Sequence, residues 1–294
     1  MTNQPVTDVH NRRQQRFRSR YGPWALVTGA SDGIGKALAA QVAAQGVNVV
    51  LSARRRDQLE TIACDLAAAH GVKTLVIAAD LTQPGGVDQL EQQTRHLDIG
   101  LIILSAGFAT SGPFADAALA RELEMVCLNV TVVARLAHRF ARQMVNDGRG
   151  GIMLVGSLLG RQGVPGVSSY AATKAYVHIL AEGLHHELKP QGIDVLLVQP
   201  GLVHTGFAAR AGLKYGSAAA PELVARAAAA ALGKRASVVP GVRAQFHATS
   251  LGLLPRRLRI RFAGDWFHRM HAAATPAAVK PDDSRTRVAV TDGN

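Results

Sequence analysis

Short runs of apolar residues alternate with longer alanine-rich or amphipathic segments along most of this chain. The apolar runs predict strands at 24–28, 48–52, 74–78, 100–104, 151–155, 193–199 and 236–239. The segments between them predict helices at 34–45, 56–70, 86–96, 116–146, 168–189 and 220–233. Continuous apolar runs are typical of parallel strands that helices cover on both faces. The pattern therefore predicts a single α/β domain with a doubly wound, seven-stranded parallel sheet.

Both ends of the chain are strongly basic and depart from this alternation. Residues 1–21 and 253–271 each hold five arginines and one aspartate, and together they supply eight of the twelve net positive charges. We predict a flexible basic extension over 1–21, a basic amphipathic helical extension over 241–271, and a disordered polar tail over 272–294.

The C-terminal extension carries a periodic apolar stripe. The stripe consists of Leu258, Phe262, Trp266 and Met270, spaced four residues apart. Such a stripe with basic neighbours suits a membrane surface, closure over a lipophilic pocket, or simple packing onto the domain. The sequence leaves these three interpretations open.

The most informative side chains are Tyr170 and Lys174, which are separated by slightly more than one helical turn. This spacing places the phenol and the amine on one face of a helix. A nearby cation favours the phenolate, which lowers the pKa of a phenol toward the range useful for acid–base catalysis. Taken alone, the pair would more often be a solvated surface pair on a helix than a catalytic pair. Ser157 lies thirteen residues before Tyr170 and is the candidate partner.

A glycine-rich segment near the start provides a second candidate site. It reads Gly29-Ala-Ser31-Asp32-Gly33-Ile34-Gly35 and lies between a predicted strand and a predicted helix. Glycine allows unusual backbone angles and close approach of a diphosphate, whose charge is stabilised at the helix N-terminus. This context predicts a dinucleotide site rather than a turn without a ligand.

These motifs together resemble the classical short-chain dehydrogenase/reductase family. Further matches follow in the family's order, and the resemblance extends over about residues 22–240. They are Asp80-Leu81, Ser105-Ala106-Gly107, Asn129, Pro200-Gly201, Val203 and Thr205. The resemblance implies a Rossmann-type fold with strand order three-two-one-four-five-six-seven. It also implies a dinucleotide-binding catalytic domain over 22–240 with a substrate loop at about 202–221.

The family's roles carry over residue by residue onto these positions. Tyr170 is implied as the general acid or base, Ser157 as the partner of the substrate oxygen, and Lys174 as the residue that assists Tyr170 and holds the nicotinamide ribose. Asn129 is implied to anchor a water that connects Lys174 to solvent. The remaining matched residues are implied to contact the cofactor, with Asp80 near the adenine and Thr205 near the carboxamide.

The end of the second strand allows a prediction of cofactor choice. Enzymes that use NAD usually place an acidic residue there, whereas this chain has Ala53 followed by Arg54 and Arg55. Guanidinium groups can bind a 2′-phosphate that a carboxylate would repel. We therefore expect NADP(H) to be preferred over NAD(H), with Arg54 as the principal contact and Arg55 next. Asp32 departs from this expectation, because many NADP-preferring relatives carry a basic residue there.

Two other features bear on the site. Ser105 stands where the family commonly has asparagine, which puts in doubt the contacts there and the bracing of the central sheet. His185 and His186 are adjacent and point to different faces of a helix, so no metal site is predicted.

The expected function is NADP(H)-dependent interconversion of a ketone or aldehyde and its alcohol on a small or lipophilic substrate. The alternatives are a catalytically silent cofactor-binding regulatory protein, or a basic protein associated with membrane or nucleic acid. The favoured interpretation expects no nucleic-acid partner. It expects a homo-oligomer, either dimer or tetramer, with peripheral membrane contact through the C-terminal helix as an option. The two cysteines, Cys64 and Cys127, are expected to be reduced packing residues. They favour a cytoplasmic location, as does the lack of a signal-like or membrane-spanning segment.

Overall fold

A computed structural model of the protein describes residues 4–212 and 218–272. The strands are β1 (Trp24–Thr28), β2 (Asn48–Ala53), β3 (Thr74–Ala78), β4 (Ile99–Leu104), β5 (Gly150–Val155), β6 (Ile193–Val198) and β7 (Ser237–Val238). The helices are α1 (Gln4–Tyr21), α2 (Gly33–Ala43), α3 (Arg56–His70), α4 (Gly86–Thr94), α5 (Leu119–Val126), α6 (Val132–Asp147), α7 (Ser168–Leu188), α8 (Gly206–Arg210), α9 (Pro221–Ala231), α10 (Val242–Gly252) and α11 (Arg256–Ala272). None of the helices in these ranges is long and apolar enough to cross a membrane.

The seven strands form one parallel sheet in the order β3-β2-β1-β4-β5-β6-β7, which confirms the predicted fold class. Successive residues of a strand point to opposite faces, so the sheet has a separate core on each side. Ala25 and Val27 of β1 pack with α2, α3 and α9, whereas Leu26 packs with α4, α6 and α7. Burial on both faces explains why the strands read as continuous apolar runs.

The long helix expected over 116–146 is interrupted. A π-helical turn at Cys127–Thr131 joins α5 to α6 and contains Asn129. Such turns insert one extra residue into a helix and are frequent at functional sites. The apolar periodicity on either side gave no sign of this insertion.

Residues 4–21 differ from the flexible extension that the sequence predicts, because they form helix α1. Its last turn is tied to the domain by Tyr21, which is buried and donates a hydrogen bond of 2.6 Å to Asp194. Arg20 forms an ion pair with the same carboxylate. Phe17 packs against the core, and Gln14 donates to the carbonyl oxygen of Ala44 at 2.9 Å.

The C-terminal extension is two helices, α10 and α11, and Pro255 lies directly before α11. Cys64, expected to be a packing residue, is exposed on α3. Residues 273–294 of the predicted disordered tail, and Leu213 and Tyr215 of the predicted substrate loop, lie outside the described residues.

Candidate active site

A cavity of about 1570 Å³ opens at the carboxyl ends of the strands, where α/β sheets usually bind ligands. Its volume exceeds the roughly 300–1,000 Å³ of a site for one small ligand, so it has room for a cofactor and a substrate. Its walls include the predicted residues Gly29, Ser31, Asp32, Gly33, Ile34, Gly35, Arg54, Arg55, Asp80, Leu81, Ser105, Ala106, Gly107, Ser157, Tyr170, Lys174, Pro200, Gly201, Val203 and Thr205. Among the predicted site residues, Asn129 alone is absent from the wall and lies fully buried behind it.

The glycine loop between β1 and α2 has the geometry of a dinucleotide cradle. Gly29 and Gly33 have φ angles of 68° and 54°, which side-chain-bearing residues rarely adopt. A Cβ on Gly35 would overlap the carbonyl oxygen of Gly29, so the third glycine permits close packing of helix on loop. No side chain caps the N-terminus of α2. The residues present therefore fit a diphosphate at this helix end.

The carboxylate of Asp32 faces away from the N-terminus of α2. It accepts hydrogen bonds from the backbone N–H of Gly206 at 3.2 Å and from Arg210 at 3.3 Å. Thr205 accepts from the backbone N–H of Phe207 and so caps α8. Asp32 thus joins the glycine loop to the start of the predicted substrate loop, and its charge is offset by Arg210.

Two arginines lie at the end of β2, as the sequence indicated. Arg54 is exposed and its guanidinium is 3.8 Å from the carboxylate of Asp80. Arg55 donates a hydrogen bond of 3.0 Å to the hydroxyl of Ser31 in the glycine loop. Both side chains border the cavity, and Arg55 is the one held against the loop that would carry the diphosphate.

The central sheet is braced by Thr28, which the sequence analysis did not assign to the site. Its hydroxyl accepts from the backbone N–H groups of Ser105 and Ala106, at 3.1 and 3.2 Å. The brace uses the backbone of residue 105, so a serine there leaves it intact. The position of Thr28, directly before the first glycine of the loop, was the feature of the sequence that could have suggested this brace.

Asn129 uses its side chain to hold two neighbouring segments. Its amide oxygen accepts from the backbone N–H of Phe108 at 3.2 Å, and its amide nitrogen donates to Phe108 O and to the hydroxyl of Thr173. Gly107 passes so close that an added Cβ would lie 2.9 Å from the amide oxygen. Asn129 therefore fixes the loop after β4 against the helix that carries Lys174.

Ser157 begins a short 3₁₀ turn, Leu158–Arg161, and is nearly buried. Its hydroxyl accepts from the backbone N–H of Leu159 at 3.2 Å. Behind it lies His178, whose ring nitrogen is 3.5 Å from the backbone nitrogen of Ser157. Burial, then the charges of Arg161 and Lys174, lower the pKa of His178 to about 4. The ring is therefore neutral near pH 7.

His178 was missed by sequence reasoning, although a signal was available. It follows Tyr170 and Lys174 at spacings of four residues, and such a series lies on one helix face. The series places a neutral imidazole behind Ser157, where it supports the backbone of the 3₁₀ turn.

Tyr170 and Lys174 project from α7 into the cavity, and both are buried. The amine of Lys174 lies 5.9 Å from the centroid of the Tyr170 ring and donates to the carbonyl oxygen of Val155 at 2.9 Å. Burial lowers the pKa of Lys174 to about 8. The structure therefore brings the predicted phenol, amine and serine to one wall of the same cavity.

The C-terminal helices complete the cavity. Its lining includes Phe262, Ala263, Trp266 and Phe267 of α11 together with several residues of α10. Of the predicted apolar stripe, Leu258, Phe262 and Trp266 are 41–53% exposed, whereas the residues that pack are Ala263 and Phe267. The side chain of Met270 lies outside the described part of the chain. Closure over the pocket and packing onto the domain both agree with this arrangement.

Phe267 holds α11 in place, because it is 1% exposed and packs in the same cluster as Tyr170 and Val167. We expect Phe267→Ala to destabilise the protein by about 3 kcal/mol and to raise KM for the substrate, but not for the cofactor. Chemical denaturation and steady-state kinetics check this. Phe246→Ala is the control, because this ring on α10 is 70% exposed and does not border the cavity. A loss of stability in Phe246→Ala equal to that in Phe267→Ala would contradict the assignment.

Comparison with known proteins places the chain in a family. The family described as short chain dehydrogenase matches residues 23–215, which is more than half of the chain. This protein is a short-chain dehydrogenase. It therefore belongs to a family of oxidoreductases, in agreement with the resemblance noted in its sequence.

Relatives of this short-chain dehydrogenase act on different substrates according to their names. A 7beta-hydroxysteroid dehydrogenase of Collinsella aerofaciens is 31% identical over 236 residues, covering 77% of this chain and 89% of the relative. A very-long-chain 3-oxoacyl-CoA reductase of Anas platyrhynchos is 34% identical over 189 residues, covering 63% of this chain and 61% of the relative. A short-chain dehydrogenase from Sphingobium yanoikuyae in complex with NADPH has a TM-score of 0.71 and 34% identity, covering 78% of this chain and 92% of that chain.

Proposed function

We propose that this short-chain dehydrogenase reduces a ketone or aldehyde on a lipophilic molecule to the alcohol, with NADPH as the preferred cofactor. The observation that carries the proposal is the placement of Ser157, Tyr170 and Lys174 on the wall of the cavity that also contains the glycine loop. The reduced nicotinamide, when bound, supplies the hydride. The residues of this chain supply the proton, the orientation and the charge.

The proton is assigned to Tyr170. As the carbonyl carbon accepts the hydride, the phenol gives its proton to the carbonyl oxygen, and the product is the alcohol. Ser157 donates a hydrogen bond to the same oxygen and stabilises its developing charge. The ammonium form of Lys174 stabilises the phenolate that remains on residue 170.

Asn129 is assigned a positioning role. Its side chain connects the backbone of Phe108 with Thr173, next to Lys174 in the chain, and so fixes Gly107 beside the lysine amine. A water relay from this asparagine to solvent stays a prediction.

The end of β2 carries the groups that would favour NADP(H) over NAD(H). Arg54 and Arg55 border the cavity, and Asp80 is the acidic side chain beside them. A 2′-phosphate there would gain charge-assisted hydrogen bonds from the guanidinium groups. The solved relative named as an NADPH complex supports the same choice.

We expect Arg54→Ala and Arg55→Ala each to raise KM for NADPH on the order of tenfold, and the double variant to raise it further, while KM for NADH changes little. The contact between Arg55 and Ser31 supports a contribution from Arg55 as well as from Arg54. Steady-state kinetics with both cofactors measure this. Arg56→Ala is the matched control, because Arg56 forms a surface pair with Glu60 and does not border the cavity. If the ratio of KM for NADPH to KM for NADH is unchanged in the double variant, the assignment of these arginines to the 2′-phosphate is refuted.

The substrate half of the cavity is largely apolar. Its wall includes Leu158, Leu159, Phe207, Phe262 and Trp266. Such a wall suits a bulky hydrocarbon body. The steroid and long-chain acyl substrates named for the two relatives are of this kind.

The outer surface of the protein carries two groups of exposed apolar side chains. Exposed apolar side chains on α5 and α7 suit a homo-oligomer, which sedimentation would detect. They are Leu119, Leu123, Val126, Tyr176 and Ile179. Val242, Phe246 and Leu253 are exposed near the arginines of α11 and suit peripheral contact with anionic lipid, which vesicle flotation would detect. A cytoplasmic location stays a prediction.

The proposed activity is tested by NADPH consumption with a panel of bulky ketones and aldehydes, each repeated with NADH. Turnover of at least one carbonyl compound, with the alcohol as product, is the expected result. Tight cofactor binding without turnover across the panel would instead support the silent regulatory protein.

A further inference from the structure

Two arginines of the substrate half have no acidic partner among the described residues. Arg161 ends the 3₁₀ turn that begins after Ser157, and Arg259 lies in the first turn of α11. Both border the cavity. Two other arginines that border the cavity are paired with carboxylates, Arg54 with Asp80 and Arg210 with Asp32.

Arg161 is bound only by neutral groups. Its Nε donates to the side-chain oxygen of Gln199 at 2.8 Å, and an Nη is 3.5 Å from the carbonyl oxygen of Ala248. Burial and then the charge of Arg259 lower the pKa of Arg161. The two guanidinium groups therefore repel each other across the cavity wall.

Arg259 is less satisfied still. Its Nε is buried and has no hydrogen-bond partner in the described part of the chain. Arg257 and Arg261 of the same helix are exposed to solvent, whereas Arg259 is half-buried. A buried, unbonded guanidinium nitrogen is costly and calls for a partner.

We propose that Arg161 and Arg259 bind an oxyanion of the substrate, so that this enzyme selects lipophilic carbonyl compounds that carry an anionic group. This inference rests on the proposed function and defines its substrate class. A carboxylate or phosphate between the two guanidinium groups would relieve their repulsion and accept paired hydrogen bonds. Arg161 lies four residues after Ser157 along the 3₁₀ turn, which corresponds to a rise of about 8 Å along its axis. The bound anion is therefore a group apart from the reacting carbonyl.

The test compares a 7-oxo steroid with a side-chain carboxylate against its methyl ester. Calorimetric binding without cofactor is measured first, and kcat/KM with NADPH second. We expect the acid to bind on the order of tenfold to a hundredfold more tightly than the ester, and the preference to shrink at high salt. Arg259→Gln should reduce the preference to within about threefold, mainly by weakening the binding of the acid, whereas Arg259→Lys should retain part of the preference.

Arg261→Gln is the matched control, because it removes the same charge from an exposed position of the same helix. It should bind acid and ester as the unaltered protein does. A third ligand, a long-chain acyl-CoA thioester, separates the two sources of oxyanion. If it alone depends on Arg259, the anion recognised is a phosphate; if the keto acid does, it is a carboxylate.

Equal binding of acid and ester together with acyl-CoA binding that does not depend on Arg259, or an acid preference that survives Arg259→Gln, would overturn the inference. Because the binding arm needs no turnover, the two proposals can fail separately. If the protein prefers the acid in an Arg259-dependent way but reduces neither compound, only the proposed reaction is refuted. If it reduces acid and ester at equal rates that Arg259→Gln does not change, only the anion site is refuted. If Arg259→Gln fails to fold, the Lys variant and the salt dependence decide.

Discussion

Tyr170→Phe should lower turnover of any carbonyl substrate by about 10²–10⁴-fold, the range that general acid–base catalysis contributes. The ring and its packing against Phe207 remain, so the cavity keeps its shape and only the proton donor is lost. The binding constant for NADPH should change little. Rates of NADPH consumption and fluorescence titration of the cofactor measure the two quantities.

Tyr176→Phe provides the matched control for this variant. Tyr176 is on the same helix but is exposed and does not border the cavity, so its loss should leave turnover unchanged. A Tyr170→Phe enzyme that retains more than a tenth of the turnover would disprove the role of the phenol. Salt-sensitive binding to vesicles or nucleic acid that persists in Tyr170→Phe would say nothing about catalysis. It would support the alternative function of a basic protein associated with membrane or nucleic acid.

Lys174→Met should abolish most activity and at the same time stabilise the protein without cofactor. Burial lowers the pKa of Lys174 from its ordinary 10.5 to about 8. At pH 7 the folded protein therefore contains a buried ammonium group that reduces its stability. Removing it should raise the free energy of unfolding by about 1–3 kcal/mol, after allowance for the lost hydrogen bond to Val155. Turnover should fall at least about a hundredfold, because the phenolate loses its cation.

The pH dependence of stability gives a separate check on Lys174. Between pH 8 and 10.5 the unfolded chain binds a proton at this residue that the folded protein has released, so stability should rise with pH in that window. The rise should be missing from Lys174→Met in denaturant titrations. Lys189→Met, at an exposed position directly after α7, should resemble the unaltered protein. A Lys174→Met protein less stable than the original at pH 7 would contradict the argument.

Much of the site could be predicted because it depends on local chain geometry. The helical period alone places Tyr170 and Lys174 on one face, and the glycine positions fix the loop after β1. The arginines after β2 are adjacent in sequence to the strand end that positions them. Residues such as Thr28, whose partners are 77 and 78 positions away, could not be found this way.

The terminal segments show the limit more clearly. The periodicity of α11 identified Leu258, Phe262 and Trp266, yet the side chain that packs deepest is Phe267, because the helix is oriented by the glycine at position 166 and the cluster around Tyr170. The N-terminal segment was expected to be flexible for its charge, but Tyr21 is buried and bonded to Asp194 of β6. In both cases the partner comes from a distant part of the chain.

By itself, the sequence determined the sheet and the family, and it predicted the phenol that we propose as the proton donor, since each follows from spacing along one element or from a motif matched in order. Only the tertiary structure decided that α10 and α11 close the substrate half, that Asp32 faces Arg210, and that Arg161 and Arg259 share one wall. Those arrangements depend on which surfaces exclude water together and which charges are left without counter-charges. Neither property is encoded in the local pattern of a single segment.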